Sequence, residues 1–353
     1  MDVSRYVNTE KIDFTVEFLT PCFLGGADQN AEVRVAPFKA GLRYWWRVLY
    51  GQKYGDKLKS VEDEIFGTAK SDAKTRVGKS RVIWELTENK CNFAKDNFRN
   101  PKPMMVSHTM RDKVTGAPFK KTFPVNPLDY LAYGKNEYSK EERKNVYKNT
   151  YIKAGSTISF HILIAGTHLA EVKDALKFFI TYGGVGSRSR NGFGSMYSKE
   201  ISDLAWSGQI VVSDKVSEYP VLSIQSGMYV EKQNCSDWEF SLSQIGTYYH
   251  DVRGSLERKH NYEKRSLISR PIEVKGEDIP AEIRKQRFPK DIFMGITKSG
   301  NGVRGYIIVL PIKFYHQSEQ QEYCEVIKKI KDGFASVMNE NTSEFVKMIG
   351  GTK

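Results

Sequence analysis

The chain has 353 residues, of which 40% are apolar and 27% are charged. This balance is typical of a globular protein of one to three domains, and it excludes a largely disordered or collagen-like chain. Lysine and arginine number 54 against 42 acidic residues, so the formal net charge is +12. Such an excess favours a polyanionic partner, either nucleic acid or an anionic membrane, with general solubility as the alternative explanation.

The sequence contains no sign of a membrane segment, a disulfide or a metal site. It has no run of 18 apolar residues and no apolar stretch after the charged N-terminus, so neither a transmembrane helix nor a signal peptide is predicted. The cysteines lie far apart without a CxxC pair, which indicates reduced thiols at Cys22, Cys91, Cys235 and Cys324. We therefore expect a cytoplasmic protein with no cofactor, no metal and no membrane partner.

The first predicted elements are a strand and a helix. Apolar and polar residues alternate from Ile12 to Phe18, which predicts a strand with one buried face. A loop with Gly25 and Gly26 follows, and Pro37 suits the first turn of the helix after it. Adjacent helix positions point about 100° apart, so one of two neighbouring tryptophans is free to border a ligand path. The apolar helix residues expected in the core are Leu42, Trp45, Trp46 and Leu49.

The same helix carries positive charge without any acidic residue. Between Val33 and Gly55 there is no aspartate or glutamate, and the basic residues are Arg34, Lys39, Arg43, Arg47 and Lys53. Three of them are spaced by four positions and line one side of the helix, where like charges repel. A stripe of this kind indicates a missing anion. We predict that all of these residues except Lys53 bind this anion.

A long insertion separates the next two predicted strands, which cover Arg81–Leu86 and Ser156–Ile164. The insertion covers about residues 90–153, and from position 99 to position 153 it has 12 basic and 5 acidic residues. A connection of this length without regular structure is usually functional or mobile. We therefore expect a role for it in binding RNA or a neighbouring protein.

A second helix and a last strand complete the first unit. Thr167 is positioned to cap the helix and Gly183 to end it, and the strand is expected near residues 195–199. The resulting order, strand-helix-strand-strand-helix-strand, is that of ferredoxin-like, RRM-like modules with antiparallel sheets. We therefore predict the α+β class, with a first module over residues 1–205.

Residues 206–353 are predicted to form a second unit. Its expected elements are a strand over Pro220–Val230, a polar helix over about Phe240–Tyr262 and a strand over Gly305–Tyr315. Pro311 favours a sheet edge for that last strand, and Ser318 with Gln321 forms the capping box of a final helix. The stretch from Arg253 to Lys290 has 11 basic and 6 acidic residues.

The most specific feature is a glycine-rich loop over residues 183–194. Its twelve positions contain five glycines, two arginines and no acid, so backbone amides and guanidinium groups can approach a phosphate chain. The loop lacks the third glycine of a dinucleotide-binding fingerprint and the Gly-Lys pair of a Walker A loop, and a plain flexible turn is the remaining alternative. We predict a flexible cationic strip, with Phe193 stacking on a base. Its predicted RNA contacts are Gly184, Gly186, Arg188, Arg190, Asn191 and Phe193.

Several segments resemble a known family. Thr20–Gln29, Phe38–Arg47 and Glu64–Gly67 resemble the N-terminal signature of CRISPR RAMP proteins, and residues 183–194 resemble their glycine-rich loop. The likeness is strongest to the family of first subunits of type III-B Cmr effector complexes. It implies two ferredoxin-like modules and a place among other RAMP subunits in a ribonucleoprotein. It also implies contact with guide and target RNA near the guide 3′ end, whereas cleavage belongs to a different RAMP subunit.

Three functional hypotheses remain open. The leading one is a non-catalytic RNA-binding subunit whose helix stripe and glycine-rich loop form one continuous cationic trough, with salt-sensitive binding. The second is a RAMP-type ribonuclease that processes guide RNA or cleaves target RNA with a metal held by Asp28. The third is a scaffold whose basic surface docks acidic proteins. The histidines are scattered and Asp28 also suits loop capping, so we predict no catalytic residue.

Overall fold

The architecture is taken from a computed structural model, which describes residues 8–68, 78–258, 261–272, 278–288, 290–342 and 345. In these residues the strands are, in chain order, β1 (Thr9–Phe18), β2 (Val82–Lys90), β3 (Phe93–Ala94), β4 (Met104–Arg111), β5 (Pro118–Val125), β6 (Asn136–Ser139), β7 (Lys144–Tyr147), β8 (Tyr151–Ile152), β9 (Thr157–Ala165), β10 (Met196–Tyr197), β11 (Gly227–Val230), β12 (Ile292–Ser299), β13 (Gly302–Val309) and β14 (Asn339–Glu340). The α-helices are α1 (Ala36–Tyr54), α2 (Leu58–Phe66), α3 (Pro127–Leu131), α4 (Leu169–Tyr182), α5 (Lys199–Ser202), α6 (Trp238–Ser255), α7 (Glu263–Ser266), α8 (Ala281–Lys285) and α9 (Gln320–Val337).

The first sheet contains the strands predicted for the first half of the chain. Its order is β10-β1-β9-β2, and all neighbouring strands are antiparallel. Phe38 of α1 packs on Phe160 of β9, with ring centroids 4.9 Å apart, so α1 covers one face of this sheet. The strand period and the helix period therefore place the predicted core residues correctly. The buried β9 residues are Ile158, Phe160, Ile162, Ile164 and Ala165.

The second sheet repeats the strand order of the first. It runs β12-β13-β11-β14, again with antiparallel neighbours. We number the strands of each sheet along the chain. The first sheet, read from β10, then has the order fourth, first, third, second, and the second sheet, read from β14, has the same order. The mixed α/β fold with antiparallel sheets is therefore confirmed.

Several predicted elements of the second half are wrong in place or extent. The sequence pattern misses β12, because its first five residues are all buried and do not alternate in polarity. β13 is an internal strand that ends at Val309, so Pro311 lies beyond the hydrogen-bonded ladder and marks no edge. β11 begins only at Gly227, and α6 ends at Ser255 rather than near Tyr262.

Two predicted helix caps are also wrong. His168 rather than Thr167 occupies the N-cap position of α4, and its side chain makes no capping hydrogen bond. α9 begins after a short 3₁₀ turn over Gln317–Glu319, so Glu319 occupies its N-cap position and Ser318 lies inside the turn. Both helices are stabilised mainly by their buried apolar faces, which the sequence pattern predicts well.

The insertion is not the structureless connection that its composition indicates. β4 pairs with β5 and β6 pairs with β7, so it contains two antiparallel hairpins on either side of α3. The Asn126 side chain caps α3 by accepting a hydrogen bond from the Leu128 amide at 3.0 Å. Leu131 of α3 lies against Gly246 of α6, where a Cβ atom would be 2.9 Å from it. The insertion therefore packs directly on the second half of the chain.

The two halves share their apolar cores. Phe23 and Phe193, from the first half, belong to the same buried cluster as Ile292 of the second half. Phe345 packs on Phe178 and Tyr182 of α4, with ring centroids 5.5 Å and 5.4 Å apart. Each cluster thus draws residues from both sides of position 205, although the modules 1–205 and 206–353 stay a prediction.

Candidate nucleic-acid interface

The glycine-rich loop lies between the two halves and is fixed on both sides by main-chain hydrogen bonds. The Ser187 amide donates to the Phe23 carbonyl at 2.9 Å, and the Gly194 amide donates to the Pro21 carbonyl at 2.8 Å. On the other side, the Met294 amide of β12 donates to the Arg190 carbonyl at 3.1 Å. The flexible strip predicted from the glycine content is therefore wrong, because the loop is paired with both neighbours.

Close backbone packing explains several of the glycines. Gly186, Gly192 and Gly194 have positive φ angles of 88°, 92° and 69°, which favour glycine. A Cβ atom on Gly194 would lie 2.0 Å from the Val185 carbonyl oxygen, so no larger residue fits there. These glycines allow the loop to fold tightly, whether or not it meets a phosphate.

A large cleft opens beside the loop, between α3, α6 and the segment that leads into β12. Its volume is about 1020 Å³. The lining contains aromatic rings of Tyr130, Tyr133, Tyr249 and Phe288 but no aspartate or glutamate. We call it the cationic cleft. The positively charged side chains that line it are Arg188, Arg190, Arg253, Arg270, Arg287 and Lys290.

Most of these charges lack a carboxylate partner. Of the six cations that line the cleft, only Arg270 forms an ion pair within the described part of the chain, with Glu319 at 2.6 Å. The Arg190 guanidinium donates to the Lys290 carbonyl at 2.6 Å and lies 4.8 Å from the centroid of the Phe293 ring. Lys290 Nζ donates to Asn191 Oδ1 at 2.5 Å. The side chains are therefore held by neutral groups that orient them without cancelling their charge.

Burial lowers the pKa of two basic side chains in the cleft, and neighbouring cations add to the effect on one of them. Burial, together with the nearby charges of Arg190 and Arg253, holds the pKa of Lys290 well below its usual range. Partial burial also lowers the pKa of the Arg188 guanidinium. Both shifts mean that the surroundings of these side chains disfavour positive charge, and a bound anion would relieve that cost.

The basic stripe on α1 does not form part of this cleft. Arg43 Nε and Arg47 Nη2 each lie 2.5 Å from Glu62 Oε1, and Arg43 also pairs with Asp63 at 3.1 Å. Glu62 is only 2% exposed, so these arginines meet an internal carboxylate on α2. The inference of a missing anion is therefore wrong for this pair, and so is the continuous trough joining stripe and loop.

The start of α1 is nevertheless close to the loop. Pro37 and Tyr44 line a smaller depression together with Gly184 and Gly186, whereas Arg34 lines another beside Lys135. Lys39 is exposed, and it has no carboxylate within 4 Å among the described residues. These contacts with RNA stay a prediction.

Phe193, which was predicted to stack on a base, lies in the core and is 0% exposed. It packs on Phe23 and Phe98, with ring centroids 5.0 Å and 5.7 Å away. Base stacking by Phe193 is therefore wrong, because no base can reach it. Trp45 and Trp46 are both buried as core residues, so neither borders a ligand path. Tyr133, at the rim of the cationic cleft, is 74% exposed and is the available aromatic surface.

Asp28 is a loop-capping residue in this geometry. Its Oδ1 accepts a hydrogen bond from the Asn30 amide at 3.0 Å, and its Oδ2 accepts one from Asn30 Nδ2 at 2.9 Å. These hydrogen bonds hold the pKa of the carboxyl below its usual range. Across the described residues, no group of three or more histidine, cysteine, aspartate or glutamate side chains is arranged to bind a metal ion.

The first half of the chain matches a known protein family. A sequence profile of the RAMP superfamily matches residues 15–197, slightly more than half of the chain. The chain belongs to the RAMP superfamily. The match covers the end of β1, all of α1 and the glycine-rich loop, and so includes every segment that carries the predicted RAMP signature. It ends before α6, so Arg253 and the other second-half cations of the cleft lie outside it.

Individual relatives of this RAMP protein extend the comparison. It is 28% identical over 188 residues to "CRISPR system Cmr subunit Cmr1-2" of Pyrococcus furiosus, an alignment that covers 52% of this chain and 92% of that protein. The apo crystal structure of Cmr1 from P. furiosus matches with a TM-score of 0.50 and 17% identity, over 94% of this chain and 98% of that one. A chain of the type III-B Cmr-beta complex bound to cognate target RNA matches with a TM-score of 0.50 and 14% identity, over 91% and 99%.

Sequence reasoning missed the second-half contribution to the site of this RAMP protein. Three residues that were predicted to contact RNA line the cationic cleft, namely Arg188, Arg190 and Asn191. The other four cations were not predicted, and they come from α6 and from the segments flanking α8. The one available signal was the basic excess between Arg253 and Lys290. Among the described helices, none is both long enough and apolar enough to cross a membrane.

Proposed function

We propose that this RAMP protein is a non-catalytic RNA-binding subunit of a type III-B CRISPR effector complex in the cytoplasm. Its partners would be guide RNA, target RNA and other RAMP subunits. The relatives named as Cmr subunits support this assignment, as does the RNA-bound complex whose chain shares the fold. The observation that carries the proposal is the cationic cleft, whose cations lack carboxylate partners among the described residues, apart from Arg270.

The proposed architecture is two ferredoxin-like modules, residues 1–205 and 206–353. The shared strand order, fourth-first-third-second, supports it, because that order results when two strand-helix-strand units interleave in one antiparallel sheet. The glycine-rich loop and the insertion both lie where the modules meet. A nucleic acid in the cationic cleft would therefore contact both modules.

The RNA contacts we propose are mainly to phosphates. Arg188, Arg190, Arg253, Arg287 and Lys290 offer charge-assisted hydrogen bonds, which hold a sugar–phosphate chain without reading its bases. Tyr133 offers a ring on which any base can stack. Guide pairing rather than this chain would then set target sequence. We further propose that these contacts lie near the guide 3′ end, which crosslinking from Arg190 would test.

Salt dependence of RNA binding tests the cleft. With six to ten phosphates engaged, affinity should fall by about 10³-fold or more between 50 and 200 mM salt. Arg188→Glu combined with Arg287→Glu should weaken binding and lower the slope by about 0.7 for each phosphate of a single strand that the protein no longer binds. Lys329→Glu, on the exposed face of α9, makes the matched control and should change neither value. A flat salt response, or equal effects of the two variants, would refute the cleft as the RNA site.

The non-catalytic role needs its own experiment. The protein is incubated with repeat RNA and with target RNA, with and without magnesium. We expect both RNAs to stay intact, since the Asp28 carboxylate is already engaged by Asn30. Cleavage that disappears in Asp28→Ala but persists in Asp129→Asn would establish the ribonuclease alternative.

A further inference from the structure

The inner part of the cationic cleft gathers several cations around one lysine. Lys290 is half-buried, and its Nζ lies against the Tyr249 ring, 4.5 Å from the ring centroid. Arg188, Arg190 and Arg253 are all close enough to repel its charge. None of these four side chains forms an ion pair with a carboxylate in the described part of the chain.

One carboxyl group lies next to this cluster and compensates little of its charge. Asp291 follows Lys290 in sequence, and Tyr323 donates a hydrogen bond to its Oδ2. Burial raises the pKa of Asp291 to about 7, so the group is only partly ionised near neutral pH. The guanidinium groups of Arg188, Arg190 and Arg253 beside one partly ionised carboxyl leave an excess of at least two positive charges, without counting Lys290.

We propose that this inner part of the cleft binds a terminal phosphate monoester of RNA. The inference rests on the proposed RNA-binding function and names the part of the RNA that the four cations hold. An internal phosphodiester carries one negative charge, whereas a monoester carries about 1.5 to 2 at pH 7 and offers three acceptor oxygens. The monoester therefore matches the local charge excess better, and it can accept hydrogen bonds from more of the converging donors.

The arrangement of the donors also suits one compact anion. The Arg190 guanidinium is held against Phe293 and by the Lys290 carbonyl, which leaves its other edge to bind an oxygen. Lys290 and Asn191 are already joined through Lys290 Nζ. Arg188, whose charge also acts on Lys290, lies at the exposed rim, where it would hold the phosphate beside the point at which the rest of the RNA leaves. The cations thus form a graded path from a solvated rim to a half-buried end.

The test compares three RNAs of one sequence with the full chain: one without a terminal phosphate, one with a 5′-phosphate and one with a 3′-phosphate. Affinities are measured by anisotropy of an internal fluorophore at pH 7.5. One of the phosphorylated RNAs should bind about tenfold tighter than the unphosphorylated RNA. This advantage should shrink below pH 6, where the phosphate dianion takes up a proton and becomes a monoanion. The preferred end identifies which terminus the cleft takes.

Variants separate this inference from the proposed function. Lys290→Gln should abolish the advantage and Lys290→Arg should keep most of it, whereas Lys329→Gln should leave it intact. Because replacing a half-buried lysine can unfold the chain, Arg188→Gln at the exposed rim is the second variant, with a reduced advantage expected. Equal affinity for all three RNAs, or an advantage that survives in both variants, would overturn the inference. Salt-sensitive binding that persists in that case would leave the proposed RNA-binding function standing.

Discussion

The Arg190 guanidinium donates a hydrogen bond to the main-chain carbonyl of Lys290, 2.6 Å away, and so joins the glycine-rich loop to the segment that leads into β12. The Met294 amide repeats this connection by donating to the Arg190 carbonyl. Arg190 and Lys290 also line the cationic cleft. The contacts that join the two halves therefore also set the spacing of the charges in the cleft.

Gly194 is expected to be among the positions of the loop that tolerate substitution least. Gly194→Ala should lower the free energy of unfolding by about 3 kcal/mol or more, because it combines a positive φ with a Cβ atom 2.0 Å from the Val185 carbonyl oxygen. Gly208→Ala is the matched control, with a φ of 71° and nothing within 4 Å, and should cost only about 1–2 kcal/mol. Urea denaturation of both variants measures the difference, and equal losses would contradict the packing argument.

Phe193 should affect stability rather than RNA affinity. Phe193→Ala removes a fully buried ring from the shared core and should cost about 3–5 kcal/mol in the free energy of unfolding. Tyr133→Ala, at the exposed rim, should leave the unfolding midpoint nearly unchanged and weaken RNA binding by about fivefold or more. Thermal melts and anisotropy on the same preparations check both results. A stable Phe193→Ala protein with weakened RNA binding would restore the stacking role.

Glu62 should be a structural residue that neutralises the stripe on α1. Glu62→Gln leaves Arg43 and Arg47 without their shared carboxylate and should cost about 2–3 kcal/mol, less than for a fully buried pair because the arginines are partly exposed. Glu64→Gln, on the same helix, removes a more exposed ion pair with Arg81 and should cost under about 1 kcal/mol. Chemical denaturation measures the free energy of unfolding of both variants. Similar small losses would show that Glu62 stabilises the fold no more than an exposed ion pair does.

Asp291 should make stability depend on pH. Its pKa is raised to about 7 in the folded chain, from 3.8, so the folded state holds this proton more tightly than the unfolded state. The contribution to stability is full below pH 4 and is lost as the pH rises through 7, at most at about 1.4 kcal/mol per pH unit. Asp291→Asn should remove this decline between pH 5 and 7.5, as followed by urea midpoints. An unchanged pH profile in the variant would assign the decline to other groups.

Local periodicity was sufficient to predict most of the first half of the fold. β1, β9, α1 and α4 each bury the residues that their alternation or helical spacing indicates, because packing against a neighbour needs only one apolar face. β12 escaped prediction because a strand buried on both faces has no period to detect. The N-terminal caps of the helices were predicted at the wrong residues. The reason, seen at α9, is that a turn precedes the helix at the position where the sequence indicated a capping side chain.

The site was only partly predictable, since its halves meet through tertiary structure. Arg188 and Arg190 were identified from a local run of glycine and arginine, and both line the cleft. Arg43 and Arg47 looked unpaired because Glu62 lies on the next helix, outside the acid-free window. Lys290 could not be assigned, because nothing in its own neighbourhood indicates that it faces the glycine-rich loop.

Phe345 adds a constraint on how the chain reaches its native state. This residue is contributed by the last part of the sequence, yet its ring closes a gap against Phe178 and Tyr182 in the first half. During synthesis on the ribosome, that apolar surface stays uncovered until residue 345 has emerged. The hydrophobic cluster formed earlier in the chain is therefore sealed only after the second half has been made.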